Sequence, residues 1–222
     1  TTSGSVAPSA TRGTELFLAT ADAGGGRPVV LKSRRTSRNA TGRHRAEIYA
    51  LQMLRSCAHI VHLIDVIELA ERNFCVLEYC SRLSLADVVP AQGGFPEVIA
   101  RTYASHLISA IATCHRHRIY HTHICLENML LRADFSLALS GFGHSLRDGV
   151  ALKVPVTHVT GSGRAKGESY ADPPECSELD VYDAKRGDLW STGVCIFALL
   201  TGAPPFEVGA VLNAWIEAPS RF

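Results

Sequence analysis

The stretch IYHTHICLENMLLR (Ile119–Arg132), followed eight residues on by SGFG (Ser140–Gly143), decides how this chain is read. IYHTHICLENMLLR and SLALSGFG (Ser136–Gly143), which contains that second motif, are short segments with alternating apolar positions, the period of strands. Upstream, PEVIARTYASHLISAIATCHRH begins with Pro96 and places Ile99, Tyr103, Leu107, Ile108 and Ile111 at helical spacing, which predicts a helix of about five turns. Downstream, DLWSTGVCIFALLTG is apolar nearly all round and stops at Gly202, with Pro204 and Pro205 beyond. This predicts a buried helix with Trp190, Phe197 and Leu200 in the core. Between them, residues 148–174 are rich in Gly, Thr, Ser and Pro and read as a long loop.

The N-terminal third has a different character. ELFLA (Glu15–Ala19), the Gly-rich ADAGGGRP and VVLK (Val29–Lys32) read as a β-hairpin. RHRAEIYALQMLRS places His44, Ile48, Leu51 and Leu54 on one helical face, and IVHLIDVIEL with NFCVLEY reads as two paired strands. A strand-rich part with one helix therefore precedes a helical part, and the fold class is α+β.

Composition narrows the function. Across 222 residues, 22 Lys and Arg against 21 Asp and Glu leave a formal charge of +1, so no basic excess exists for nucleic acid. The longest strongly apolar stretch, Val194 to Leu200, is too short to span a bilayer, so no membrane partner is expected. Seven dispersed cysteines with no CxxC pair suggest neither a disulfide framework nor a zinc ribbon; a reducing compartment, the cytoplasm, is expected. The opening TTSGSVAPSATRG is small and polar, so residues 1–13 are expected to be a flexible lead-in cut from a larger protein.

Taken together, these segments resemble the eukaryotic protein kinase domain from about Leu16 onward. VVLK resembles the strand with the phosphate-binding lysine, Lys32, and Glu47 sits where that family's helix offers its partner carboxylate. LEYC (Leu77–Cys80) resembles the hinge, IYHTHICLEN the catalytic loop, SGFG the metal-binding DFG and PPE (Pro173–Glu175) the APE motif. DLWSTGV and LLTGAPPF resemble the central helix and its exit in Ser/Thr kinases, the calmodulin-dependent group above all. Asn128 and Gly141 lie thirteen residues apart, the separation that fold uses. The resemblance implies a two-lobed fold with a small β lobe over residues 14–79 and a mainly helical lobe over 80–222. That second lobe is expected to be incomplete, because only VLNAWIEA follows the Pro-rich exit.

The resemblance also shows what has changed. Phosphoryl transfer relies on charges held in place. His123 stands at the catalytic-base position and Thr122 at that of the phospho-sensing arginine, while Cys125 replaces a lysine and Gly141 the metal-binding aspartate. Asn128 alone is a poor metal site, so Mg²⁺ is not expected. Val30 adds bulk in the adenine slot, and the glycine-loop segment SATRGTELFLA keeps only Gly13, so ATP is expected to bind weakly if at all. Lys32, Glu47, Val30, Glu78, Cys80, Leu130 and Gly141 are the candidate nucleotide-pocket residues. Asp188 resembles the carboxylate that accepts hydrogen bonds from the catalytic loop. The cluster Cys114, His115, His117, His121, His123 and Cys125 has zinc-type donors at the spacings of no common site. The expectation is a pseudokinase that acts through a protein partner, by scaffolding or allosteric regulation. The alternative is an active or weakly active Ser/Thr kinase using His123 as base.

Overall fold

The computed structural model describes residues 2–5, 14–21, 26–36, 38–81, 83–147, 153–155, 169–175 and 181–206. Its first part is a five-stranded antiparallel sheet in the order β1-β2-β3-β5-β4. These strands are β1 (Thr2–Ser5), β2 (Thr14–Ala21), β3 (Arg27–Arg35), β4 (Leu63–Glu68) and β5 (Arg72–Glu78). The helix α1 (Arg38–Met53) follows β3. Its buried face carries His44, Glu47, Ala50 and Leu51, with Leu54 just beyond its end. Cross-strand register sets Val30 opposite Leu18 and Leu77, and Lys32 opposite Leu16 and Cys75. The two-residue period of β3 puts Val30, Lys32 and Arg34 on one face.

Part of the expected lead-in is structured. Thr2–Ser5 pairs with β2 across a register irregularity. The free edge of β2 presents unpaired backbone groups, and the start of the chain satisfies them.

The second part is helical. α2 (Leu85–Gln92) is followed by α3 (Glu97–Arg116), which Pro96 caps, and by the strands β6 (Ile119–Tyr120), β7 (Met129–Leu131), β8 (Leu137–Leu139) and β9 (Leu146–Arg147). The expected loop over 148–174 contains a strand, β10 (Lys153–Pro155), paired with β11 (Val181–Asp183); most of its other residues lie outside the described ones. The last helix, α4 (Ala184–Thr201), is capped by the Asp183 side chain, which accepts from the backbone N–H of Lys185 and Arg186. It ends at Gly202, whose φ of 85° is left-handed. VLNAWIEA lies outside the described residues.

One continuous core joins both parts, running through Leu51, Leu54, Leu77, Leu107, Met129, Leu139, Phe142 and Leu199. The helices α3 and α4 depart from the sequence expectation in phase. On α3, Ile99 and Ile108 face outward, and Ala100, Ala110 and Cys114 complete the buried stripe with Tyr103, Leu107 and Ile111. On α4, Phe197 and Leu200 are each 45% exposed instead of core, and Trp190 is half-buried against Phe206. An all-apolar helix carries no periodicity to say which side is covered, and here small residues, Ala198, Ser191 and Thr192, take the close contact.

Candidate functional site

The upper wall of the site is built by β3 and α1. Lys32 Nζ donates to Glu47 Oε1 at 2.7 Å. Arg34, two residues along the same face, brings Nη2 to 3.0 Å from Glu47 Oε2, off the axis of a hydrogen bond. Glu47 is 1% exposed. Burial pushes its carboxyl up, but Lys32 and Arg34 more than offset this and hold it below the usual carboxylate range. His44, one turn earlier, is pushed down by burial and by Arg34, which keeps the imidazole neutral. Arg34 was not legible as a site residue from the sequence; its position, two after Lys32 on an alternating strand, was the available signal.

The lower wall is held by one buried carboxylate. Asp188 Oδ2 accepts from His121 N at 2.8 Å and lies 2.9 Å from His115 Nε2, and Oδ1 accepts from Thr122 N at 2.7 Å. Thr122 has a φ of 58°, uncommon for a β-branched residue, and the surrounding bonds enforce it. Its hydroxyl donates to the His144 carbonyl at 2.8 Å. His121 Nε2 lies 2.8 Å from the Ser140 carbonyl, and its ring meets Phe142 edge-on. His115 and His121 thus have hydrogen-bonded structural places. Among the described residues, no group of three or more His, Cys, Asp or Glu is arranged to hold a metal.

Between the walls lie the altered positions. Asn128 Nδ2 donates to the His123 carbonyl at 2.8 Å and lies 3.2 Å from His123 Nδ1 and 3.4 Å from Cys125 Sγ. Gly141, at a φ of 89°, leaves the space this amide fills. Burial pushes the Cys125 thiol far above its ordinary range, so it stays neutral and supplies no positive charge. Arg34 packs its guanidinium against Gly143, where a β-carbon would have to push that flexible end aside. A divalent cation between phosphates requires carboxylate oxygens in an open site. Here position 141 offers none, Asn128 is turned onto His123, and a guanidinium stands nearby. These residues do not fit Mg²⁺.

The end of β5 is held by Arg132. Its Nε and Nη2 donate to Glu78 Oε2 and Oε1 at 2.9 and 2.7 Å, and it also reaches the carbonyls of Ala58, Ile60 and Leu137. Burial pushes the Glu78 carboxyl up, but its bonds from Arg132 and from His62 N hold it below its ordinary value. Glu78 N donates to the His62 carbonyl. Burial raises the Cys80 thiol to about 11. Leu130, half-buried on β7, bridges to Ser84, and Val30 is half-buried on the face that also carries Lys32.

A family model described as protein kinase domain matches residues 18–217. CBL-interacting protein kinase 3 of Oryza sativa subsp. japonica is 35% identical over 163 residues, 73% of this chain and 35% of that protein. The carbon catabolite-derepressing protein kinase of Candida albicans is 33% identical over 190 residues, 83% of this chain and 29% of that one. Sucrose non-fermenting protein kinase 1 of Fusarium virguliforme is 34% identical over 181 residues, 81% and 24% respectively. The chain spans about a third or less of the length of these relatives.

Proposed function

The chain belongs to the protein kinase domain family, and from that premise we propose that it acts as a pseudokinase, presenting a surface to a protein partner instead of transferring phosphate. The observation that carries this is the pairing of Asn128 with Gly141: the amide occupies the space where a metal-binding side chain would stand. His123 supports it, since its Nδ1 and carbonyl are engaged by the same amide. The framework residues, by contrast, retain their bonds, Lys32 to Glu47 and Asp188 to the loop. Shape is kept while the charges of catalysis are removed.

On this reading residues 14–79 act as the small lobe and 80–222 as the larger one, in the cytoplasm, and the partner is a protein: a kinase, a substrate or a scaffold. Lys32, Glu47, Val30, Glu78, Cys80 and Leu130 line a cleft in which ATP binds weakly and Mg²⁺ does not. A second reading, an active or weakly active Ser/Thr kinase with His123 as base, is favoured by the intact Lys32–Glu47 pair and by the kinase names of the similar proteins. The two separate in one assay. Purified protein is incubated with γ-labelled ATP, Mg²⁺ or Mn²⁺ and general protein substrates. No incorporation is expected, and incorporation that Lys32→Ala abolishes would overturn the pseudokinase reading.

A further inference from the structure

Two imidazoles outside the cleft meet face to face. His59, in the segment between α1 and β4, stacks on His106 of α3 with ring centroids 4.1 Å apart and planes 16° from parallel. Both residues are half-buried, and the Nδ1 atom of each is buried with no hydrogen-bond partner among the described residues. A bare Nδ1 lone pair is tolerated there, whereas a proton added to it becomes a buried donor with nothing to bond. Charging both rings would in addition bring like charges into contact. Tyr103 of α3 meets the His106 ring edge-on, and burial raises its hydroxyl, so it stays neutral. The charged groups around the pair come from the β7–β8 hairpin. Asp134, on its turn, draws a proton towards His106, but burial and the neighbouring His59 oppose it and prevail. Arg132 adds a cation beside the stack, bound to the carbonyls of Ala58 and Ile60 on either side of His59. The stack stands where the two parts of the molecule are tied together: Leu139 N donates to the His59 carbonyl and Val61 N to the Leu139 carbonyl, each at 2.9 Å.

We propose that the His59–His106 stack is an acid-sensitive clasp, closed while both rings are neutral and opened by protonation, which releases the segment carrying His59 from α3 and β8. It uses no residue of the cleft and holds whether or not the protein transfers phosphate. Once the rings part, each imidazole reaches water, where its charge is solvated and its Nδ1–H finds a partner. The open form therefore binds protons more readily than the closed one, and opening is favoured as the pH falls through the ordinary histidine range. The gain levels off once the closed stack is itself protonated. Ile60 bridges to Leu139 beside the stack, so opening loosens the tie between the sheet and the helical part while the Lys32–Glu47 pair keeps its bond.

The test is amide hydrogen exchange followed by NMR from pH 7.5 to pH 5.5, corrected for the intrinsic pH dependence of exchange. Protection of the Val61 and Leu139 amides is expected to fall about threefold or more relative to amides within α4. His106→Phe keeps a ring in the stack but cannot take a proton, and is expected to abolish that relative fall. Asp134→Asn removes the carboxylate that favours protonation, and is expected to move the fall to lower pH. Should His106→Phe not melt cooperatively, the wild-type imidazole carbons are titrated instead. Ring protonation of His59 or His106 that coincides with the loss of protection then supports the clasp, and ring protonation without that loss counts against it. Protection unchanged with pH, a fall shared equally by α4, or a fall that persists in His106→Phe would overturn the proposal.

Discussion

The side-chain amide of Asn128 stands where a side chain on residue 141 would begin: a β-carbon built on Gly141 would lie 2.6 Å from Asn128 Cγ, Nδ2 and Oδ1. The two positions that together would hold a metal are therefore mutually exclusive in the present packing. Restoring aspartate at 141 must first expel the amide from its bonds to His123 and Cys125.

Gly141→Asp is accordingly expected to destabilise the domain by about 1–3 kcal/mol and to confer no Mg²⁺-dependent transfer. Gly141→Ala should lose a similar amount, since the collision begins at the β-carbon. Thermal melts of both variants check this, and a wild-type midpoint for Gly141→Asp would show that Asn128 moves aside freely.

Asp188 satisfies two backbone donors and one imidazole from a position 1% exposed. Asp188→Ala should cost about 3 kcal/mol or more, because the donors stay buried and Thr122 loses the bond that supports its left-handed backbone. Denaturant unfolding provides the measure. A loss below about 1 kcal/mol, the scale of one net hydrogen bond, would mean that the loop is held by other contacts.

The shared carboxylate makes the two sides of the Lys32–Glu47 pair unequal. Glu47→Ala strands both Lys32 and Arg34 and should cost about 3–5 kcal/mol. Lys32→Met leaves Arg34 beside Glu47 and keeps an apolar stem, so a loss of about 1 kcal/mol is expected. Equal losses in the two variants would show that Arg34 contributes nothing to holding Glu47.

Stability should fall as the solution is acidified below pH 6.5. His44, His106 and His121 are all pushed below their ordinary value of 6.5, burial being the largest cause in each case. Under pH 6.5 the unfolded chain takes up protons that these buried rings refuse, which favours unfolding until the depressed folded values are reached. Glu47 and Glu78, depressed from 4.5, extend the loss at lower pH as their folded carboxylates are titrated. Melting midpoints measured from pH 8 to pH 4 should decline in that order, and a midpoint rising between pH 7 and pH 5.5 would contradict it.

Much of this was legible in the sequence because it rests on local pattern. The alternation around Ile119–Leu131, the helix opened by Pro96 and the cap at Gly202 depend on near neighbours and reappear in the structure. The Lys32–Glu47 pair and the role of Asp188 came from resemblance, and the observed bonds agree with both. What escaped was contact between segments distant in sequence but adjacent in space. Arg34 reads as an ordinary strand residue until Gly143 is seen beneath it, and Arg132 as a polar end of β7 until Glu78 and the Ala58 carbonyl meet it. The outward turn of Phe197 and Leu200 was hidden for a different reason: a uniformly greasy helix has no phase to read.

Arg132 has a mechanical consequence. A single planar cation rivets the end of β5, the segment after α1 and the β7–β8 hairpin to one another, so any rocking of one half of the molecule upon the other must shear several bonds at once. Changing the angle between them would break the Arg132–Glu78 pair and the carbonyl bonds together, and the protein's own rivet opposes it.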